Sequence, residues 1–486
     1  MPAGRRERAF AFSRGLGQLA LVLAVGPSIS GPSRRAFGAV DGPPLRDDSA
    51  KSNFHYTGRW RIIASARGVT HIPNNLRRNW WLHVLEGTAL IGSAAAINPN
   101  TVGSTLVERL GGSASAIALM PMASTLGYSI GPIITAHWLD RQADFVPVLR
   151  AALPASRLPL LLTALTLWLA GTSRLSLWMV VGGSIAYGVI GGLSIGAWQQ
   201  LVAKTMPPWE RPSLFAHRYL LSNLLGLFMG WLVVAILSHL PGTNGYALLY
   251  LVAFIGASIS YQFITRVREP RGDPNTGVER TFLQNLRGLP QVFSADRRLQ
   301  LYLLTAMLAN AHLMYIGFLS GHARAVLGLG ESYLGTLTSS QMAGAAIGSF
   351  FASRLGNRLG PRGLLLTSRA LFMLVAIGAL VATHDYAFRV LFGLYGMAFF
   401  VNLVGHNTIT LALMPEGRSS SVLAVFSLAL VPSMLACGEL GAFLWQRGGM
   451  AYVAGTAAIA LFAAFLAIWP IQLQRSVAHA PLTRPT

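Results

Sequence analysis

Cysteine is almost absent. Cys437 is the only one in 486 residues, and it lies inside an apolar run. A single thiol excludes a disulfide framework and a cysteine-built metal site. Charge is scarce as well: 11% of residues are charged, against roughly 25% in an ordinary soluble domain. Lysine occurs only at Lys51 and Lys204, so nearly all the positive charge is arginine. Acids number 17 against 38 bases, for a formal net charge of +21. That excess would suit nucleic acid, but no polar basic domain is present to bind it. The arginines sit between apolar runs, as membrane orientation requires. A Gly-rich phosphate loop with Lys and Ser/Thr is missing, which argues against ATP as the energy source. His83-Val84-Leu85-Glu86 lacks the second histidine of a zinc-protease helix, which argues against an intramembrane hydrolase. Neither a metal nor a cofactor is expected, and the chain does not read as an enzyme.

Apolar sequence is what the chain has in abundance, at 53% of residues. A membrane span needs about 20 of them in succession. Twelve segments are expected to span, near 79–98, 113–138, 151–171, 176–202, 213–238, 245–266, 299–321, 332–354, 363–383, 386–413, 419–445 and 450–472. Arginines and Lys204 concentrate in alternate loops: Arg141, Arg150 and Arg157; Lys204 and Arg211; seven arginines between 266 and 298; Arg358 and Arg362; Arg418. The other loops hold at most one arginine each. The positive-inside rule then puts both termini in the cytoplasm.

One stretch occurs twice. Residues 110–141 moved forward by 217 positions fall on 327–358, matching Leu110 with Leu327, Gly111 with Gly328, Ser115 with Ser332, Gly127 and Gly131 with Gly344 and Gly348, and Arg141 with Arg358. Each copy has a Gly-containing turn, an apolar helix with glycines four apart, then Asp140-Arg141 or Asn357-Arg358. Paired halves in one membrane chain mark secondary transporters. The pattern resembles the major facilitator superfamily, whose loop between helices 2 and 3 runs small-x-x-x-Asp-Arg/Lys-x-Gly-x-Arg. The first copy offers Ala136-x-x-x-Asp140-Arg141 without the Gly-x-Arg. The second offers Ser353-x-x-x-Asn357-Arg358-Leu359-Gly360-Pro361-Arg362, with an amide for the acid. The resemblance covers about residues 78–475.

It implies an all-α membrane protein of twelve transmembrane helices in two pseudo-symmetric six-helix bundles. The expected divisions are a cytoplasmic, largely disordered tail over 1–78, a first bundle over 79–266, a central cytoplasmic loop over 267–298, a second bundle over 299–472 and a short cytoplasmic tail over 473–486. Apolar positions at helical spacing in 278–293 suit either a short surface helix or a plain linker. The run Leu16–Val25 behind Arg5, Arg6 and Arg8 looks like the start of a signal peptide, but the tail reading is preferred. The implied activity is movement of a small organic solute across the inner membrane by alternating access. Protons are the expected coupling ion, and the protein is expected to work as a monomer in the bilayer. A transporter-like sensor or scaffold without flux, or a lipid flippase, is the alternative.

An ionisable group inside a membrane costs at least about 2.5–3.5 kcal/mol, so it usually serves a function. Glu86 lies roughly 10 Å inside the membrane at 1.5 Å per residue. It is the proton-carrying candidate, or else a structural partner of Arg218 or His217. In this superfamily helices 1, 4, 7 and 10 line the cavity, which makes Glu86, Tyr187, Trp198, Gln199, Asn310, His312, Asn402 and His406 lining candidates. Asn402 and His406 share a helical face with Phe399; Asn310 and His312, two apart, cannot both face a cavity from one regular helix. The absence of a deep central arginine pair speaks against a multivalent anion. Arg157 and Arg369, in matching Ser-Arg pairs, read as interfacial anchors or as latch partners. Helix 5 has Gly226 and Gly230 but no proline, unlike proton-antiporting drug exporters, and the sugar porters' Arg-x-Gly-Arg-Arg loop is absent. By resemblance, Asp140, Arg141, Asn357, Arg358 and Arg362 form an inner latch. Asp140→Asn should therefore raise thiol labelling of cysteines placed in the inner cavity; unchanged labelling removes that role.

Overall fold

In the computed structural model the described residues are 75–139, 142–270, 297–413 and 419–470. The N-terminal tail, the centre of the 267–298 loop and the last sixteen residues lie outside them, so the expectations placed there are not addressed. The described residues fall in one compact unit that begins at Pro73.

Helices make up the unit, and no strand occurs among the described residues. They are α1 (Leu76–Ala94), α2 (Ser104–Arg109), α3 (Ala114–Leu139), α4 (Val146–Ala170), α5 (Arg174–Thr205), α6 (Arg211–His239), α7 (Thr243–Ile264), α8 (Arg297–Ala309), α9 (His312–Leu327), α10 (Tyr333–Val381), α11 (Asp385–Leu413) and α12 (Ser419–Ile468). Eight stretches among the described residues are long and apolar enough to cross a membrane. Their outer faces carry the apolar residues that a soluble protein would bury: Leu169 is 83% exposed and Ile459 73%. Trp168, Trp178, Tyr386 and Trp469 are exposed near helix ends, where amphipathic rings meet the headgroup region.

Local chemistry sets the breaks. α10 is interrupted at Gly360, whose φ of 67° is open to glycine at little cost, and Pro361 then starts the next turn. α12 is interrupted at Gly448–Gly449. The first expected span differs more. α1 stops at Ala94, a 3₁₀ turn covers Ala95–Ile97, and a π turn covers Pro99–Gly103 before α2 continues to Arg109. Pro99 cannot donate to the helical ladder, and the Asn98 side chain accepts instead from the Asn100 amide at 2.9 Å.

The repeated glycines govern helix contact. Gly127 and Gly131 of α3 lie against Gly188 and Gly192 of α5. Gly344 and Gly348 of α10 lie against Gly393 and Met397 of α11. A third contact has another role: Gly230 of α6 meets Gly335 and Ser339 of α10, main chain against main chain. Without Cβ atoms these helices approach closely. A Cβ on Gly344 would overlap the Gly393 carbonyl oxygen, whereas one on Gly455 meets nothing within 4 Å. Gly344→Ala should cost about 1–3 kcal/mol by overpacking and lower the melting temperature in detergent, while Gly455→Ala leaves it unchanged.

Candidate functional site

A cavity of about 450 Å³ lies among α1, α3, α6, α8, α9, α10, α11 and α12. Its walls are mostly apolar and aromatic, with Leu313, Met342, Tyr395, Phe399, Phe400 and Met434. The polar residues of the wall are Asn98, Asn100, Ser124, Thr125, Ser129, Asn223, Asn310, His312, Gln341, Arg369, Asn402, His406 and Ser427.

The two halves of the sequence share these almost equally, and the amide and imidazole candidates of the second half are all among them. Asn402 and His406, one turn apart on α11, both reach the wall. The His406 ring nitrogen Nδ1 shares a hydrogen bond with the Tyr302 hydroxyl at 2.5 Å. Asn310 and His312 also both reach it, although two residues apart. The reason is that α8 ends at Ala309 and α9 begins at His312, so the regular helical rotation fails between them and the expected conflict disappears. Asn310 donates to Ser433 at 2.8 Å. His312 donates through Nδ1 to the Ala309 carbonyl at 2.8 Å and stacks on Phe372 with centroids 4.4 Å apart.

From the first half, four of the expected lining residues lie elsewhere. Glu86, Tyr187, Trp198 and Gln199 are not part of this wall. The face of α1 that carries Glu86 turns to α6 and α7. There its carboxylate is ion-paired with Arg218, both side chains 6% exposed, and accepts a hydrogen bond from Ser260 at 3.3 Å. The partner is thus Arg218 rather than His217, whose ring bonds the Ser213 carbonyl. Trp198 belongs to the same cluster: the Arg218 guanidinium lies over its ring at 4.6 Å. Tyr187 packs edge-on to Tyr128, and Gln199, next along α5, is exposed.

Two arginines lie deeper than the sequence suggests. Arg157 is 5% exposed and Arg369 2%, so neither snorkels to an interface. Arg157 is satisfied by Ala257 O at 3.2 Å, Leu153 O at 2.9 Å and the Ser156 hydroxyl at 2.5 Å. Arg369 stands in the cavity wall. Its Nη1 donates to the Asn402 carbonyl oxygen and to Ser368 at 2.8 Å, while its Nε is buried with no acceptor. The cavity wall thus holds one arginine, not a pair.

Of the expected latch, Asp140, Arg141 and the side chain of Asn357 lie outside the described residues. Arg358 is exposed. Arg362 donates to the Trp469 carbonyl and lies 5.3 Å from that ring, tying the start of the second arm of α10 to the end of α12.

Two clusters were not anticipated. Glu269 accepts from the Phe145 and Val146 amides, at 2.9 Å each, and from Lys204 at 3.0 Å. It thus places a carboxylate on the positive end of α4. A polar seam also runs away from the cavity along the Asn98–Arg109 segment. Asn98 meets Gln341 at 3.0 Å, Thr101 meets Thr338 at 2.6 Å, Thr105 meets Ser320 at 3.3 Å and Arg109 meets Glu331 at 2.6 Å. Nearby, Ser115 donates to Glu439 at 2.7 Å. Every contact of the seam joins a residue of the first half of the sequence to one of the second. Their only signal in the sequence is polar residues placed inside or beside apolar runs.

Known structures share this architecture. A bacterial homolog of the human lysosomal transporter Spinster, in an inward-facing and unoccupied conformation, is 14% identical with a TM-score of 0.55, over 82% of this chain and 95% of that one. A nucleoside transporter is 14% identical with a TM-score of 0.59, over 80% and 99%. A D-xylose–proton symporter is 16% identical with a TM-score of 0.57, over 81% and 97%. These likenesses establish the fold. The family model of the Major Facilitator Superfamily matches residues 87–436. The chain belongs to the major facilitator superfamily and is a multi-pass membrane transporter, not an enzyme.

Proposed function

We propose that the protein is a secondary active carrier that moves a small organic solute across the inner membrane by alternating access, driven by protons. Twelve spans in two six-helix bundles, over 79–266 and 299–472, are the arrangement this reading requires, working as a monomer with both termini in the cytoplasm. The observation that carries it is the pairing of cavity and seam. The cavity lies between the two halves of the sequence, and the four contacts from Asn98–Gln341 to Arg109–Glu331 lead from it toward one end of the molecule. With the arginine-rich loops facing the cytoplasm, the seam closes the outer side and the cavity serves the inner one. Opening the other way requires the seam to part, and hydroxyl and amide contacts, each worth about 1 kcal/mol, suit a closure that must break in every cycle.

Cysteines at Thr101 and Thr338 should cross-link in membranes and stop flux in proteoliposomes, with reduction restoring it. Flux that survives complete cross-linking refutes alternation at the seam. A sensor without flux would give ligand-induced change but no transport in the same vesicles.

The coupling element of this reading is the Glu86–Arg218 pair. A carboxylate in apolar surroundings is held by its arginine, and a proton reaching it releases that arginine and loosens α1 from α6. Glu86→Gln should abolish uphill accumulation while sparing exchange. Uphill accumulation with an unaltered response to the proton gradient counts against this assignment. Asp140, Arg141, Asn357, Arg358 and Arg362 remain, in this proposal, the latch of the inner side.

A further inference from the structure

The cavity wall holds one charged side chain, Arg369. Its surroundings differ from those of the other two buried arginines. Arg218 has the carboxylate of Glu86. Arg157 has two main-chain carbonyls and a hydroxyl, which engage both Nε and Nη1. Arg369 bonds only through Nη1, to Asn402 and Ser368. None of the ion pairs among the described residues includes it. A cation taken out of water without a counter-charge is costly, and a buried donor without an acceptor adds to that cost. Chain folding alone does not explain keeping both at the wall of a 450 Å³ cavity.

The unused donors define what would answer them. With Nη1 engaged, Nε and Nη2 remain as the side of the guanidinium fork that binds a carboxylate by two parallel hydrogen bonds. Asn402 gives its carbonyl oxygen to Arg369, so its amide nitrogen is not the group that meets the guanidinium. Of the other amides in the wall, Asn310 is committed to Ser433 and Asn98 to Gln341. The remaining wall is chiefly aliphatic and aromatic, with Leu313, Tyr395, Phe399 and Met434. One cation cannot balance two anionic groups in such a space.

We infer that Arg369 anchors the substrate and that the substrate is a small organic monocarboxylate with an apolar body. The inference rests on the carrier reading above and narrows it. The bound acid supplies the counter-charge, so Arg369 is matched only in the loaded protein.

The test uses purified full-length protein and matched probes: benzoate against benzamide, hexanoate against hexanamide, and phthalate as a dianion. The acids should raise the melting temperature, the amides should not, and phthalate should act more weakly. Arg369→Gln should weaken acid binding about tenfold to a hundredfold, the worth of hydrogen bonds to a charged group, and Arg369→Lys should lose less. Ligand-free Arg369→Gln should melt no lower than the wild type, because it removes a buried cation that has no counter-charge. The inference is overturned if amides act as strongly as acids, or if no monocarboxylate acts at millimolar concentration. It is also overturned if Arg369→Gln binds acids as the wild type does, or fails to fold or melts well below it. Uptake of the best-binding acid into proteoliposomes, corrected for entry into protein-free vesicles, separates the two readings. Arg369-dependent binding without uptake removes the carrier and leaves the carboxylate site. Gradient-sensitive uptake of a neutral solute that Arg369→Gln does not change removes the site and leaves the carrier.

Discussion

A polar side chain inside this bundle has no water to fall back on, and that constraint orders the structure. Lipid-facing surfaces are apolar, so every hydroxyl, amide and charge must be met by another helix or by the cavity. Several of the polar contacts are consequently ties between helices. Glu86 with Arg218 and Ser260 fastens α1 to α6 and α7. Asn310 with Ser433 fastens the α8–α9 break to α12. The Tyr315 hydroxyl donates to the Phe372 carbonyl at 3.1 Å and fastens α9 to α10. In a low-dielectric interior such ties are specific because the unmade alternative is costly.

The same constraint explains where the helices fail. A broken helix frees main-chain groups, which apolar surroundings tolerate only where protein or a cavity satisfies them. Two of the interruptions, at Asn98–Pro99 and Asn310–Ala311, border the cavity or the seam. Asparagine suits such places, since its side chain can stand in for the missing main-chain partner. At Asn98 it does so directly, accepting from Asn100 while donating to Gln341.

Much of the architecture could be read from residue spacing. The repeat predicted two helices carrying glycines four apart, and both pack through those glycines against the helix two spans later. The i, i+4 spacing of Asn402 and His406 placed them on one face of α11, and both reach the cavity. What failed was depth and azimuth. The Ser-Arg echo of Arg157 and Arg369 looked interfacial because the spans were drawn from about 151 and 363. Spacing alone does not show that the protein encloses both side chains, Arg157 at 5% exposure and Arg369 at 2%. Nothing in a single helix says which neighbour the acid of Glu86 will meet. Asn310 and His312 were judged on an unbroken helix that does not exist. Glu269 was passed over because its partners, Phe145, Val146 and Lys204, lie at least 65 residues away along the chain.

The seam has one further consequence. Its contacts nearest the cavity, Asn98–Gln341, Thr101–Thr338 and Thr105–Ser320, are made by groups that neither gain nor lose charge in ordinary buffers. That closure is indifferent to acidity.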